Sequence, residues 1–363
     1  MQNNPIITLL QEGLNIPTNV KIRHAIDWAK LYQQASRQGV AAIAWDGLQR
    51  MIEDGVIEAE QLPDRATKLR WAMSVEQTEK RYAKQLRVID KLATTLADQD
   101  IKIMILKGYG LSLCYPTPKH RACSDVDIWL YGKQHEADML LHTSFGINID
   151  NGKHHHTVFY IDGVMVENHF DFLNLHAQHS NRDIERELLR RTEEASQKIS
   201  LENSAIYIPP VNLHALFLLR HAASHFAAVE IVLRHLIDWA MFVKHNAKDI
   251  DWRWLYDVCR KHKMDKFVDA LNAYAVDLFG VDRDLIPEIT RRPDIESRIL
   301  HDILDPEFKD TKPEHGTLRI VWFKARRWWA NRWKHRLVYN DGLVKSFATQ
   351  SWGHILKPKS IKR

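Results

Sequence analysis

Cysteine is scarce in this sequence: Cys114, Cys123 and Cys259 are the three in 363 residues. They are too few and too irregularly spaced for a disulfide framework or a four-thiolate zinc site, and they read as small buried hydrophobes in a reducing compartment. Also missing is any run approaching the roughly 20 apolar residues of a membrane span. The N-terminus, Met1-Gln-Asn-Asn-Pro5, has neither the basic start nor the apolar stretch of a secretory leader. Cytoplasmic location is therefore the expectation. No internal repeat is evident. A dinucleotide-binding glycine turn is lacking too, because Gly108-Tyr109-Gly110 is followed by Ser112 and Leu113 where a third glycine would stand.

What is present is ordinary soluble-protein composition. With 45% hydrophobic and 27% charged residues, the chain can bury one large core or two modest ones. Its net charge of +5 is unevenly distributed: 13 Lys+Arg and only two acids, Glu314 and Asp341, fall between Thr311 and Arg363. That tail carries +11, and the first 310 residues carry −6.

Apolar residues at spacings of three and four, such as Val88-Ile89-Leu92-Leu96, predict helices from about Ile6 to Asp98, interrupted at 15–19 and 55–63. The character then changes. Ile101–Leu106 reads as a strand, Lys107-Gly108 as a turn, Leu111–Tyr115 as a short helix and Val126–Tyr131 as a second strand. Lys133–Ser144 reads as helix and Ile147–Ile149 as strand, while Thr157–Ile161 and Val164–Glu167 form a hairpin turning at Asp162-Gly163. Residues 99–208 are thus an α/β unit of three to five strands. Helices are expected again at His214–Lys244, Trp252–Phe279 and Leu318–Val338, with a looser stretch around Pro287, Pro293 and Pro306. The regions are taken as 1–98, 99–208, 209–285 and 286–363.

The most informative segment is Ser124-Asp125-Val126-Asp127-Ile128-Trp129-Leu130. Successive side chains alternate along a strand, so Asp125 and Asp127 project from one face. Two carboxylates in an apolar frame need solvent or a cation, since burying them unpaired costs several kcal/mol.

The order Leu106-Lys107-Gly108, Tyr115-Pro116, Arg121, Asp125-Val126-Asp127-Ile128 and then Val166-Glu167 resembles the nucleotidyltransferase superfamily. It is most similar to the bacterial branch of uncharacterised nucleotidyltransferases, in which Lys-Gly replaces the commoner Gly-Ser. The likeness is good over about 99–175, looser to about 245, and does not extend to the first 95 or last 70 residues. It implies an α+β fold, a small mixed β-sheet core flanked by helices, with helical N-terminal and C-terminal regions around it.

The resemblance also implies the chemistry. Asp125, Asp127 and a third acid, Glu167 with Asp171 as substitute, would hold two Mg2+ ions or Mn2+ and assist transfer of an NMP from an NTP, with ATP the expected donor, to an unidentified acceptor. Lys107, Gly108 and Arg121 would contact the triphosphate, and His169 the substrate. His221 and His225, one turn apart on a helix, with Arg234, His235 and Asp238 beyond, would wall the substrate cleft. A structural His-Asp network or a metal-dependent phosphohydrolase centred on His221, His225 and Asp238 are the competing readings there. His154-His155-His156 reads as an exposed loop, because consecutive strand residues face opposite sides.

The segment 318–338 carries seven Lys or Arg among Trp322, Trp328, Trp329 and Trp333. Leu318, Trp322, Ala325, Trp329, Trp333 and Leu337 fall on one stripe. It suits packing on the acidic body, a nucleic-acid backbone or an anionic membrane surface. A non-catalytic protein binding through this tail is the alternative to an enzyme.

Overall fold

The predicted N-terminal helices are present. The computed structural model describes residues 4–18, 26–287 and 289–342. Helices α1 (Pro5–Gly13), α2 (Trp28–Arg37), α3 (Ala41–Glu53) and α4 (Arg65–Ala97) come first. Asn4, Asp27 and Asp64 cap α1, α2 and α4 by accepting first-turn amide protons. α1 crosses α3 at two glycines: a Cβ on Gly13 would lie 2.0 Å from the Ile43 carbonyl oxygen, and one on Gly47 1.9 Å from that of Leu9. Only glycine permits that approach.

α4 serves two cores. Near its start Trp71 packs beside Tyr32 and Trp45 and donates its indole N–H to the Ala41 carbonyl at 2.8 Å. Near its end Val88, Ile89, Leu92, Ala93 and Leu96 bury against a sheet. The boundary expected at residue 98 therefore follows a helix shared by both cores.

The sheet has six strands: β1 (Met104–Ile105), β2 (Asp125–Trp129), β3 (His156–Ile161), β4 (Val164–His169), β5 (Gln197–Ser200) and β6 (Ala205–Ile208). Their order is β3-β4-β2-β1-β6-β5. β2 is parallel to β4 and β1 to β6, while β1–β2, β3–β4 and β5–β6 are antiparallel. The fold is α+β with a mixed sheet flanked by helices, as expected. Asp162 and Gly163, with φ of 50° and 73°, make the predicted hairpin turn. Two expectations fail. Ile147–Ile149 forms no strand, its surroundings contributing only an isolated bridge from Asp150 to Val158, and the expected three to five strands become six through the added hairpin β5–β6.

Strand alternation divides the sheet chemically. Val126, Ile128, Phe159, Val166 and Ile206 face α4 and α6 (Gln134–Phe145), after the short α5 (Tyr109–Ser112). Asp125, Asp127, Glu167 and His169 of β2 and β4 face the other way, toward a larger helical core that includes Met104, Leu106 and Trp129, while Asn168 stays on the α6 side and donates to the Gln134 carbonyl and the Asp138 carboxylate. That core gathers α1–α3, α7 (Ser180–Arg191), α8 (Val211–Ala228), α9 (Leu233–Asn246), α10 (Trp252–Lys261), α11 (Asp265–Asp277) and α12 (Pro293–Leu304).

The three long C-terminal helices expected are each divided. His214–Lys244 becomes α8 and α9, and Trp252–Phe279 becomes α10 and α11, with Lys263 at a positive φ of 57° between them. Leu318–Val338 becomes α13 (Thr317–Ala330) and α14 (Arg332–Val338). The last break has a visible cause: Asn331 turns inward and its amide donates to the Ala227 and Val229 carbonyls at the end of α8. α14 is then locked by Lys334, buried 2.5 Å from Asp302, and by Arg220, which donates to the Val338 carbonyl at 3.1 Å. The predicted stripe is consequently split. Trp333 packs on Phe226, whereas Leu318, Trp322 and Trp329 are 86%, 68% and 63% exposed, so the stripe as a whole does not pack on the body. Among the described residues no helix is long and apolar enough to cross a membrane.

Candidate active site

Register sets the centre of the site. β2 and β4 run parallel with Asp127 opposite Glu167 and Trp129 opposite His169, and antiparallel β3 places His156 opposite His169. Residues in register on neighbouring strands share a face. Asp127, Glu167, His169 and His156 therefore form one polar patch on the sheet face turned toward the helical core.

The strand preceding them supplies a cation. Leu106 ends the buried run after β1, and the chain turns at Gly108 with φ 58° and ψ −113°, a region that side-chain-bearing residues avoid. This turn aims Lys107 back across the sheet, with Nζ 2.9 Å from Asp127 Oδ1. Burial alone would lower the Lys107 pKa, but the charges of Asp127, Asp125 and Glu167 outweigh it and hold the ammonium above its usual value.

The two paired acids are driven in opposite directions. Burial pushes the Asp127 carboxyl up, but Lys107 and His169 override that and hold it below the usual carboxylate range. Burial, reinforced by the Asp127 charge, raises Glu167. Two carboxyls separated in this way suit a permanently ionised ligand and a proton acceptor.

These residues fit a divalent cation. Asp127 Oδ2 is buried with no hydrogen-bond partner. His169 Nδ1 lies 3.2 Å from the Asp171 carbonyl oxygen, which can only accept, so Nδ1 carries the proton. Its Nε2 then faces Asp127 Oδ1 at 3.2 Å and Glu167 Oε2 at 3.8 Å. A lone pair aimed at two carboxylates calls for a proton or a metal ion between them. Ligand atoms of Asp127, Glu167 and His169 all lie within 4.8 Å of one another.

Asp125 stands two residues toward the mouth, half-buried, with Met165 rather than an acid opposite it in register. Ser124 Oγ reaches its carboxylate at 3.3 Å. It lines the same cavity of about 1100 Å³ as the Asp127 group. Asp171 lies past the end of β4 and meets His169 through its backbone, so the acid brought beside Asp127 is Glu167.

Arg121 departs from its expected role as a triphosphate contact. It is buried, with Nε and Nη2 donating to the two oxygens of Asp238 at 2.7 and 2.9 Å and Nη1 donating to the Gly108 carbonyl at 3.2 Å. Its guanidinium fixes the Lys107-Gly108 turn to α9. Tyr115 also donates to Asp238, at 2.5 Å. Asp238 is thus held by its neighbours and does not join His221 and His225 as a ligand set, which removes the geometric basis for a phosphohydrolase centre there. The rings of His221 and His225 lie 4.5 Å apart on the cavity wall, with His235 5.8 Å beyond. The surrounding protein lowers all three pKa values, to about 4 for His225 and about 3 for His235.

The cavity has contributors that the sequence did not assign to the site. Arg37 on α2 and Lys324, Arg327 and Trp328 on α13 line it, so regions far apart in the chain close around the acids. His155 lies within reach of His156 and His169. The exposed loop expected at His154-His155-His156 is therefore not what forms: His156 is buried at the start of β3, and His155 precedes that strand, where the alternation of consecutive residues does not yet apply.

A family model described as uncharacterised nucleotidyltransferase matches residues 24–280, from the N-terminal helices to the end of α11. No curated protein and no solved structure matches.

Proposed function

The chain belongs to this uncharacterised nucleotidyltransferase family, and from that premise we propose that it moves an NMP from an NTP, ATP foremost, to an acceptor and releases pyrophosphate. The observation that carries this reading is Asp127 in register with Glu167, with the Lys107 ammonium 2.9 Å from Asp127.

Asp125, Asp127 and Glu167 would hold Mg2+ or Mn2+, two ions in the full complement, with His169 beside them. When bound, such ions neutralise phosphate charge and orient the α-phosphorus for in-line attack. The chain supplies the rest. Gly108, without a side chain, lets the turn lie close to phosphate, and Arg121 holds that turn in place. Lys107 neutralises charge on the triphosphate. Glu167 accepts the proton of the acceptor group as its oxygen or nitrogen bonds to the α-phosphorus. The bond from that phosphorus to the bridging oxygen breaks, and pyrophosphate leaves with the electron pair. Lys324 and Arg327 face the same cavity and favour anionic reactants.

The test is incubation with α-labelled NTPs and Mg2+ in a cell extract. The label should move to one class of molecule with the wild-type chain and fail to move with Asp125→Ala/Asp127→Ala. Equal transfer by the double variant would overturn the reading.

A second reading is favoured by the exposed face of α13. Leu318, Val321, Trp322 and Trp329 point outward, flanked by exposed Arg319 and Arg326. Such a face suits the interfacial region of an anionic membrane. Cosedimentation with anionic but not zwitterionic vesicles, lost in Trp322→Glu/Trp329→Glu, would support it. No sedimentation with either vesicle would refute it.

A further inference from the structure

We propose that His155, His156 and His169 form a binding site for a divalent transition metal of the Zn2+ and Co2+ class, beside the Asp127–Glu167 pair and distinct in chemistry from a Mg2+ site. The proposal goes beyond nucleotidyl transfer and does not depend on it.

Position comes first. His155 immediately precedes β3, His156 begins it, and His169 ends β4 directly opposite His156. The three rings converge, with centroids 4.4 Å apart for His155 and His156, 5.0 Å for His156 and His169, and 5.4 Å for His155 and His169. One nitrogen from each lies within 4.8 Å of the other two. Tetrahedral coordination at about 2.0–2.1 Å per bond needs nitrogens about 3.3 Å apart. Binding requires the rings to close from within 4.8 Å to that spacing.

Hydrogen bonding gives the second observation. His156 is 5% exposed, and neither of its ring nitrogens has a hydrogen-bond partner; His155 Nδ1 is buried and unpartnered as well. Buried polar atoms are satisfied in the great majority of cases, and each exception asks for an explanation. A metal ion accepts lone pairs from all three rings at once. The carbonyl of Asp171 fixes the His169 tautomer, as an outer partner does at metal-binding histidines. Glu167 Oε1, 3.5 Å from His156 Nε2, provides an oxygen donor alongside.

Ligand type selects the metal. Imidazole suits Zn2+, Co2+, Ni2+ and Cu2+, whereas Mg2+ prefers oxygen donors. His169 Nε2 lies 3.2 Å from Asp127 Oδ1, so a transition metal at the three imidazoles reports on the acid pair.

Co2+ is the probe, because its visible absorption is intense in tetrahedral sites. The purified full-length chain, stripped with chelator, should bind stoichiometric Co2+ with that spectrum in the presence of excess Mg2+, and Zn2+ should displace it. His155→Ala and the volume-conserving His156→Gln should each weaken binding at least about tenfold, while Asp125→Asn leaves the spectrum in place. Circular dichroism identifies any variant that fails to fold, and wild type alone still decides. Absence of stoichiometric Co2+ and Zn2+ binding to the folded wild-type chain, or equal binding by the folded histidine variants, would overturn the proposal. Metal binding without label transfer would leave this site standing and count against the transfer reading alone.

Discussion

Arg121 and Asp238 form a bidentate ion pair, 2.7 and 2.9 Å, that joins the loop before β2 to helix α9. Because Arg121 also holds the Gly108 carbonyl, this pair couples the helical core to the turn that aims Lys107. Removing one partner of a buried pair leaves an uncompensated charge and costs about 3–5 kcal/mol. Asp238→Ala should lose stability of that order in urea denaturation. Any label transfer that survives should show a raised KM for NTP.

Lys107 and Asp127 make a second buried pair. Lys107→Met leaves the Asp127 carboxylate with His169 alone, again at a cost of about 3–5 kcal/mol. Millimolar Mg2+ or Mn2+ should recover part of that loss, since a cation binding only the folded state stabilises it. Thermal melts with metal and with chelator measure the difference. A variant as stable as wild type in chelator would contradict the pairing.

Gly108 has φ +58°, and a Cβ there would meet Cys123 Sγ at 3.1 Å. Gly108→Ala should cost about 1–3 kcal/mol of backbone strain. Its effect on transfer should exceed its effect on stability, because relaxation displaces Lys107. Parallel unfolding and kinetic assays separate the two.

Glu185 is buried on α7 and accepts from the Phe172 and Leu173 amides, both at 2.9 Å, anchoring the chain that leaves β4. Burial raises its pKa from 4.5 to about 7. The folded state therefore holds the proton more tightly than the unfolded state, and unfolding free energy falls as pH rises from 4.5 to about 7. The decline has an upper size of about 3 kcal/mol. Glu185→Gln should flatten that part of the stability profile.

Much of the sheet was legible in sequence because half-buried strands alternate and Asp162-Gly163 is a strong turn signal. Ile147–Ile149 misled because three residues cannot distinguish a strand from a packed loop. β5 was missed because Gln197 and Lys198 are exposed and supply no apolar alternation. The helix breaks at Val229–Val232 and Asn331 come from tertiary contacts, which overrode a periodicity that ran on in sequence. In the site, Asp127 and Glu167 are legible because each interrupts the apolar run of a strand, and Lys107 and Gly108 because they end one. Arg121 looked like a substrate contact since its partner Asp238 lies far along the chain, and the cavity-lining roles of Lys324 and Arg327 emerge only once α13 has packed.

Those two cations provide a further check. Lys324→Glu/Arg327→Glu reverses charge on the cavity wall and should raise KM for an anionic reactant about tenfold or more at low salt, with a smaller effect as ionic strength rises. A KM equal to that of wild type at low salt would show that neither residue faces the reactants.

The most direct measurement for the whole account is pyrophosphate released from a mixed NTP pool, with Mg2+ and cell extract as acceptor source, by wild type and by Asp127→Asn. Asparagine keeps the volume and removes the charge that Lys107 and His169 surround. Release by the wild-type chain falling about 100-fold or more in folded Asp127→Asn is the predicted result; release at the wild-type rate by that variant would contradict nucleotidyl transfer at this site.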